Sequence, residues 1–439
     1  MLMIRCLLAG FMLCILPLGV NYSQTKPATP DRYLVFFLTN TTVQQAGERS
    51  TGKDANDAYS FVGEIPHLFG PLNPDSPVKY AFGLPGPMLL TQSPQQMREQ
   101  VNQAFDLAEQ YNVPVYFQLD DINNYTSEFG NDAHPKFYEE PEWCEWVGQP
   151  ADGDSQGGRS FDRLPRYWFN WGAWRFSPAF PNLASPGFNR FVKKQLAEGV
   201  LPALVDRYEL LKAGGKEYLF AGMAIGWETH IPDYSGDNPI YAVNPNALPF
   251  SKHQNDRMAP WEASKYGYAA LHTLGIKSYD REALYRVIRN YSASLARVVF
   301  EAGIPKHKIF THTIGLKSVR PELETTFAPP IWVAVNPYST PGFTMSPETC
   351  PYDLEVIKSE ISRADSTQKH FANAEGYARG LNKDVETASA YLNSMFNQGA
   401  LITTVFGWGR ESATSAFAVS HSPYSPFVIA AKELFENDR

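Results

Sequence analysis

Short apolar runs alternate with amphipathic segments along most of the chain. The apolar runs are rich in β-branched and aromatic residues and lack strict polar alternation, which is typical of strands buried on both faces. Together with the amphipathic segments they predict a parallel sheet covered by helices. Eight strands are predicted, over residues 33–38, 78–83, 113–119, 218–225, 308–313, 331–336, 370–374 and 401–406. The predicted fold class is therefore α/β, a (β/α)8 TIM barrel with long insertions in its βα-loops.

Helix signals mark several of the segments between the predicted strands. Ser93 and Gln96 form a capping box, and Ser185, followed by a proline, begins a second helix. Asp280 is the expected cap of a third helix. Two places fit the barrel poorly, because the segment after the first strand shows no clear helix and residues 314–330 leave little room for one.

The 439 residues are compatible with one barrel that carries long loops, and we expect residues 25–439 to form a single catalytic domain. Long insertions follow the first strand, the third strand over 120–184 and the fourth strand over 228–280. All of them fall on the side where this fold builds its active sites.

Composition narrows the function classes. Hydrophobic residues make up 44% of the chain and charged residues 19%, which predicts a compact globular protein. The formal net charge is −8 and no cluster of Lys and Arg is present, so nucleic acid is not an expected partner. Aromatic residues reach 14%, and many tryptophans fall in polar, loop-like segments where their rings are available to a ligand.

The N-terminus is typical of a secretory signal peptide. Arg5 precedes the apolar run 6–20, which polar residues follow, and residues 1–24 are the predicted signal. The protein is then secreted or periplasmic with no membrane span in the mature chain, and a retained membrane anchor is the alternative. The mature chain keeps Cys144 and Cys350, which form either a disulfide or two buried thiols.

Acidic residues at strand ends are the strongest candidates for chemistry. The sequence has no G-x-S-x-G, H-E-x-x-H, P-loop or G-x-G-x-x-G motif, so the usual signs of serine hydrolases, zincins and nucleotide enzymes are missing. Glu228 follows the fourth strand and Glu375 the seventh. Two carboxylates in one barrel mouth suit glycosidic cleavage. Ion pairs with Arg379 or Arg410 are the structural alternative for these acids.

In these positions the sequence resembles the clan of retaining glycoside hydrolases on (β/α)8 barrels that includes β-galactosidases, β-mannosidases and cellulases. The resemblance implies Glu228 as general acid/base and Glu375 as nucleophile. It also implies Trp408 as the floor of a sugar subsite and Tyr338 as a hydrogen-bond donor to the nucleophile. The chain departs from the clan at Trp227, where the clan usually has Asn to hold the sugar 2-hydroxyl.

A second acidic pair, Asp120 and Asp121, follows the third strand. Either carboxylate is suited to bind sugar hydroxyls through charge-assisted hydrogen bonds. A hard cation held together with Asn123 and Asn124 is one alternative, although the spacing of a calcium loop is absent, and loop capping is another.

Aromatic and histidine residues complete the candidate substrate-binding set. Sugar faces stack on indole rings, and Trp168, Trp171 and Trp174 lie close together in the third insertion. Ordinary loop packing is the alternative for these rings. His230 and His312 lie at the ends of the fourth and fifth strands, and both are candidates to line the same pocket. A structural role is the alternative for each histidine.

The sequence therefore predicts a glycoside hydrolase that cleaves a β-linked oligosaccharide or polysaccharide with retention, without a metal or an organic cofactor. In that mechanism the two carboxyl groups lie about 5 to 5.5 Å apart, and Tyr338 is expected within hydrogen-bond reach of Glu375. Two alternatives stay open. One is a non-catalytic carbohydrate-binding protein on the same barrel, and the other a metal-dependent hydrolase centred on Asp120, Asp121 and His230.

Overall fold

The structure is a computed structural model that describes most of the chain. The described residues are 30–37, 55–122, 141–145, 166–170, 174–178, 180–231, 267–313, 326–345, 354–376, 380–406, 408 and 422–436, with backbone alone for 55–61, 141, 166–170 and 174–178. Contacts divide the chain into Met1–Pro30 and Asp31–Arg439, and the barrel lies in the second unit. The predicted signal peptide falls outside the described residues. Among those that are described, no helix is long and apolar enough to cross a bilayer.

Eight parallel strands close into a barrel, in the order β1-β10-β9-β8-β7-β6-β3-β2. In chain order the strands are β1 Arg32–Phe37, β2 Val78–Met88, β3 Val115–Asp120, β4 Arg166–Asn170, β5 Trp174–Pro178, β6 Phe220–Ile225, β7 Ile309–Thr313, β8 Thr340–Met345, β9 Phe371–Gly376 and β10 Ala400–Phe406. The strands β4 and β5 form a two-stranded antiparallel sheet in the insertion after β3. The predicted (β/α)8 fold class is confirmed.

Helices occupy the segments between the barrel strands. They are α1 Ala55–Phe69, α2 Pro94–Tyr111, α3 Pro186–Gln195, α4 Leu201–Ala213, α5 Tyr268–Thr273, α6 Arg281–Glu301, α7 Leu354–Ala364, α8 Val385–Asn397 and α9 Pro426–Glu436. The capping box of Ser93 and Gln96 and the Asp280 cap are both present. The helix α1 was not evident from the sequence, because Gly63 and Pro66 weaken helical propensity. A Cβ at Gly63 would lie 2.8 Å from the Tyr111 ring, so close helix packing accounts for this glycine.

The sixth strand was predicted in the wrong place. Residues 331–336 were expected to be extended, but Ile331–Ala334 is a short 3-10 helix and the strand is β8, Thr340–Met345. Pro341 and Gly342 lie within β8, and because both residue types are typical of turns, the sequence did not indicate a strand there. The barrel needs this glycine, since a Cβ at Gly342 would lie 2.8 Å from the Thr311 carbonyl oxygen.

Apolar side chains fill both sides of the barrel wall. Along β1, Leu34 and Phe36 pack outward against the helices, whereas Val35 and Phe37 point into the barrel with Tyr116. Alternation along a strand places successive side chains on opposite faces. The interior is therefore a packed core, and the polar side chains that approach each other lie at the strand ends. Cys144 is buried; Cys350 lies outside the described residues, so a disulfide between them stays a prediction.

Lys308, just before β7, is buried in the barrel wall. Its Nζ donates to the carbonyl oxygen of Phe220 and lies 5.6 Å from the centre of the Tyr33 ring. Burial lowers the pKa of Lys308 from 10.5 to about 8. Because the pKa is lower in the folded state, the unfolded state binds more protons between these two values, and stability rises with pH there.

We expect the contribution of Lys308 to the free energy of unfolding to rise by about 3 kcal/mol from pH 8 to pH 10.5. Urea unfolding of the wild type and of Lys308→Met across this range measures the difference between them. Lys277→Met, at an exposed position, is the control and should follow the wild type. Parallel curves for the wild type and Lys308→Met would contradict the expectation.

Candidate active site

Glu228 lies on a tight turn at the end of β6. The preceding Gly226 has a φ of +90°, and a Cβ there would lie 2.0 Å from the hydroxyl oxygen of Thr229. Glu228 itself has a φ of +54°, a left-handed conformation that a non-glycine residue rarely adopts. Such conformations persist where the surroundings impose them and often occur at functional sites.

Asp121 holds this turn in place. One carboxylate oxygen accepts from the backbone N–H of Trp227 at 3.2 Å, and the other from the hydroxyl of Thr229 at 3.3 Å. Burial raises the pKa of Asp121 to about 6. These contacts favour the loop-capping alternative for Asp121. The neighbouring Asp120 is 1% exposed, and its Oδ1 accepts from the backbone N–H of Ile122.

Glu375 lies at the end of β9 and faces the same turn. The indole Nε1 of Trp227 donates to Oε2 of Glu375 at 2.7 Å. The Trp227 ring is itself fixed by an edge contact with Phe37, with the ring centroids 6.4 Å apart. The residue that replaces the clan's usual Asn is thus a hydrogen-bond donor to the second carboxylate.

The two carboxylates approach each other closely. One oxygen of Glu228, one oxygen of Glu375 and one ring nitrogen of His312 all lie within 4.8 Å of one another. Glu228 is 4% exposed and Glu375 6%, so the pair is nearly enclosed. Two carboxylates this close disfavour simultaneous ionisation.

His312 connects Glu228 to the neighbouring strands. Its Nδ1 lies 2.7 Å from Nε2 of Gln118 and 3.3 Å from the backbone nitrogen of Glu228. Its Nε2 lies 2.8 Å from the hydroxyl of Thr344, which donates to Oε1 of Glu228 at 2.6 Å. Burial lowers the pKa of His312 to about 3, so the ring is neutral.

These contacts bear on cation binding by Glu228, Glu375 and His312. The spacing of the three would suit a metal ion. Both nitrogens of His312 are engaged in hydrogen bonds, however, so the imidazole has no free lone pair for a metal. The cluster is better described as a carboxylate pair beside a neutral, hydrogen-bonded histidine.

His230 occupies a structural position below the turn. Its Nδ1 faces the carbonyl oxygen of Glu228, and its ring lies between Phe180 and Phe327, with centroids at 5.7 and 4.8 Å. Burial lowers its pKa to about 4. A neutral ring with its Nδ1–H on a backbone carbonyl favours the structural alternative for this histidine.

Two predictions that came from the clan resemblance are corrected. Trp408 is 3% exposed and its ring centre is 4.4 Å from that of Phe36, on the outer side of β1, so it does not floor a subsite in the barrel mouth. Tyr338 precedes β8, at the end of the barrel opposite the carboxylates. Its ring packs against Phe300 and Arg297 of α6. The two errors have different causes. Trp408 follows a correctly located strand but packs on its outer side, whereas the sixth strand was placed before Tyr338 and in fact follows it.

The aromatic insertion is described in part. Trp168 belongs to β4, where it pairs with Phe176, and Trp174 belongs to β5, where it pairs with Asn170. Trp171 lies outside the described residues. Sugar stacking by these three tryptophans stays a prediction.

The sequence matches no protein-family model, and no curated protein matches it. Among solved structures, the chain is similar to the PgaB (BpsB) glycoside hydrolase domain from Bordetella bronchiseptica, with 12% identity, a TM-score of 0.43 and coverage of 86% of this chain and 93% of that one. The catalytic domain of β-amylase from Paenibacillus polymyxa gives 8% identity and a TM-score of 0.48, over 94% and 100% of the two chains. An endo-1,4-β-mannanase from Eisenia fetida gives 12% identity and a TM-score of 0.40, with coverage of 92% of this chain and 91% of that one.

Proposed function

We propose that the protein is a retaining glycoside hydrolase, with Glu228 as general acid/base and Glu375 as nucleophile. The observation that carries this proposal is the approach of the two carboxylates, whose nearest oxygens lie within 4.8 Å. Retaining enzymes need carboxyl groups about 5 to 5.5 Å apart, whereas inverting enzymes need about 6.5 to 9.5 Å to admit a water molecule. An approach of 4.8 Å or less between nearest oxygens is in keeping with the shorter of these two separations.

The surroundings of the two carboxylates support different roles for them. Glu375 accepts the indole N–H of Trp227, and a donor to a carboxylate favours its ionised form. An ionised Glu375 within 4.8 Å then disfavours ionisation of Glu228. This division leaves Glu375 as the anion that attacks and Glu228 as the acid that holds a proton.

The reaction then proceeds in two displacements. An oxygen of Glu375 bonds to C1 of the sugar while the bond from C1 to the glycosidic oxygen breaks, and Glu228 gives its proton to the leaving oxygen. Water enters, Glu228 takes a proton from it, and the water oxygen bonds to C1 as the bond to Glu375 breaks. Both glutamates return to their starting protonation states.

An oligosaccharide or polysaccharide is the proposed substrate class, since the aromatic insertion follows β3 at the mouth of the barrel. The β-linkage is proposed from the resemblance to the clan. We also propose that the protein is exported, on the strength of the apolar run 6–20 behind Arg5.

The test is turnover of a panel of aryl β-glycosides and β-linked polysaccharides, followed by proton NMR of the first-formed product. We expect hydrolysis with the β-anomer appearing before mutarotation. An α-anomer formed first would contradict retention. Glycan binding without any turnover would support the non-catalytic binding protein instead.

Trp227→Phe tests the proposed role of the indole N–H. The variant keeps an aromatic ring but removes the donor to Glu375, and a hydrogen bond to a charged group is worth about 1.5 to 3 kcal/mol. We therefore expect kcat/KM to fall roughly 10- to 100-fold. The acidic limb of the pH profile should also move upward, because the Glu375 carboxylate has lost a donor.

The control for this variant is Trp332→Phe, because Trp332 packs against Tyr285 and Arg289 away from the carboxylates. This control should keep the wild-type pH profile. A Trp227→Phe profile that overlays that of the wild type would show that the indole N–H does not tune the nucleophile.

A further inference from the structure

A chain of hydrogen bonds runs from β3 to Glu228 through two neighbouring strands. Gln118 on β3 contacts His312 on β7, His312 contacts Thr344 on β8, and Thr344 donates to Oε1 of Glu228, over distances of 2.7, 2.8 and 2.6 Å. All four side chains are nine-tenths buried or more. The inference below deepens the proposed function and rests on it.

The amide group of Gln118 sets the direction of the hydrogen bonds in this series. Nε2 of Gln118 donates to the carbonyl oxygen of Gly226 at 2.8 Å, and a carbonyl only accepts, so the amide NH2 group faces His312. The backbone N–H of Glu228 also points at Nδ1 of His312, at 3.3 Å. Two N–H donors thus face Nδ1, against one acceptor beside the ring, the Gly226 carbonyl oxygen, which opposes the effect of burial and raises the pKa of His312. We therefore assign the ring proton of neutral His312 to Nε2.

The remaining bonds follow from that tautomer. Nε2–H of His312 donates to the Thr344 oxygen, so the single hydroxyl proton of Thr344 is left for Oε1 of Glu228. An oxygen that already accepts this proton at 2.6 Å is poorly placed to carry one of its own.

We propose that Thr344 is a positioning residue that, held by His312 and Gln118, keeps Oε1 of Glu228 as an acceptor and so directs the catalytic proton to Oε2. The proton that Glu228 gives to the leaving oxygen is then carried on Oε2. The relay moves no proton itself, since His312 stays neutral and keeps Nε2–H throughout both displacements.

Several other titratable groups lie around Glu228. One of them is Glu375 on β9. Another is Tyr116 on β3, whose pKa is raised by burial and then by the charge of Glu375. Asp121, at the end of β3, binds the turn that carries Glu228, and His230 contacts its carbonyl oxygen. Thr344 donates directly to Oε1 of Glu228, so a change at Thr344 acts on this oxygen without an intermediate residue.

The first test is the pH dependence of kcat/KM in Thr344→Val, which keeps the shape of the side chain and removes the hydroxyl. Loss of a donor to the carboxylate should raise the pH at which Glu228 loses its proton, so the basic limb should move up by about one pH unit. Thr344→Ser should restore the wild-type limb. Lower activity with an unmoved basic limb would overturn the proposal, because that is the signature of a structural role alone.

A matched control is Thr403→Val in β10. Thr403 is equally buried, and its hydroxyl has no partner within the described part of the chain, so the same substitution removes no contact with the carboxylates. We expect Thr403→Val to keep the wild-type pH profile. A shift of the basic limb in this control equal to that in Thr344→Val would overturn the assignment to Thr344.

The second test does not need activity. Nitrogen-15 NMR of histidine-labelled protein reports the tautomer of each ring, with His312→Gln supplying the assignment. The proposal expects His312 as the Nε2–H tautomer from pH 5 to pH 8. A protonated Nδ1, or a cationic ring in this range, would overturn it. If no glycoside is hydrolysed, the proposed function fails while this measurement still decides the relay.

Discussion

Replacement of Glu375 with Gln should abolish turnover while the barrel stays folded. The substitution changes the volume very little but removes the anion that would bond to C1, so a loss on the order of 10⁴-fold or more in kcat is expected, as for other catalytic groups that act as a unit. The amide can still accept the indole N–H of Trp227 through its oxygen, which preserves the local packing. Initial rates with an aryl β-glycoside measure the loss, and the thermal unfolding midpoint measures the fold.

The control for that variant is Glu386→Gln, an exposed residue in the first turn of α8. The same chemical change there should leave turnover at the wild-type value and lower the stability only slightly, because an exposed acid in the first turn of a helix is worth about 0.3 to 1 kcal/mol. A Glu375→Gln protein that turns over at the parent rate would eliminate Glu375 as nucleophile. A sharp fall in its unfolding midpoint would instead indicate a structural carboxylate.

Replacement of Glu228 with Gln should reduce activity in a way that depends on the leaving group. Assistance by a general acid contributes about 10² to 10⁴ in rate, so that loss is expected for β-linked oligosaccharides, whose leaving alcohols are poor. Aryl glycosides with strongly electron-withdrawing substituents need little protonation to depart, and the first displacement on them should be nearly unimpaired.

The leaving-group comparison separates Glu228 from Glu375. The Glu228 variant should accumulate a glycosyl-enzyme with the activated substrate, because water attack still needs the missing base. Intact-protein mass spectrometry should detect it as an added sugar mass, and the Glu375 variant should show none. Equal losses on poor and activated leaving groups in Glu228→Gln would contradict its role as acid.

Glu228 and Glu375 lie at strand ends in one barrel mouth, as expected, whereas the resemblance to the clan was wrong about Trp408 and Tyr338. Glu228 and Glu375 directly follow strands that the hydrophobic pattern locates well, and parallel strands deliver their carboxyl ends to one mouth. Trp408 and Tyr338 depend instead on which face a residue occupies and at which end of its strand it lies. A shift of one residue along a strand exchanges those faces.

The residues around Glu228 were missed for a related reason. Gln118 falls within the last part of an apolar strand, and only its polarity at that position could have marked it. Thr344 was hidden because the sixth strand was placed over 331–336, upstream of β8. A proline and a glycine inside β8 resemble a turn, and only the close approach of the Thr311 carbonyl explains why Gly342 is required.

The sequence by itself determined the class of fold and the two strand-end glutamates, because burial on both faces and helix capping are local signals that neighbouring residues express. Tertiary structure alone decided what surrounds the glutamates. The indole of Trp227 on Glu375, the Asp121 contacts that hold the turn, and the relay from Gln118 to Thr344 each join residues about 100 or more positions apart or on separate strands. Such contacts exist only because the barrel closes, since closure brings the ends of distant strands within hydrogen-bond distance.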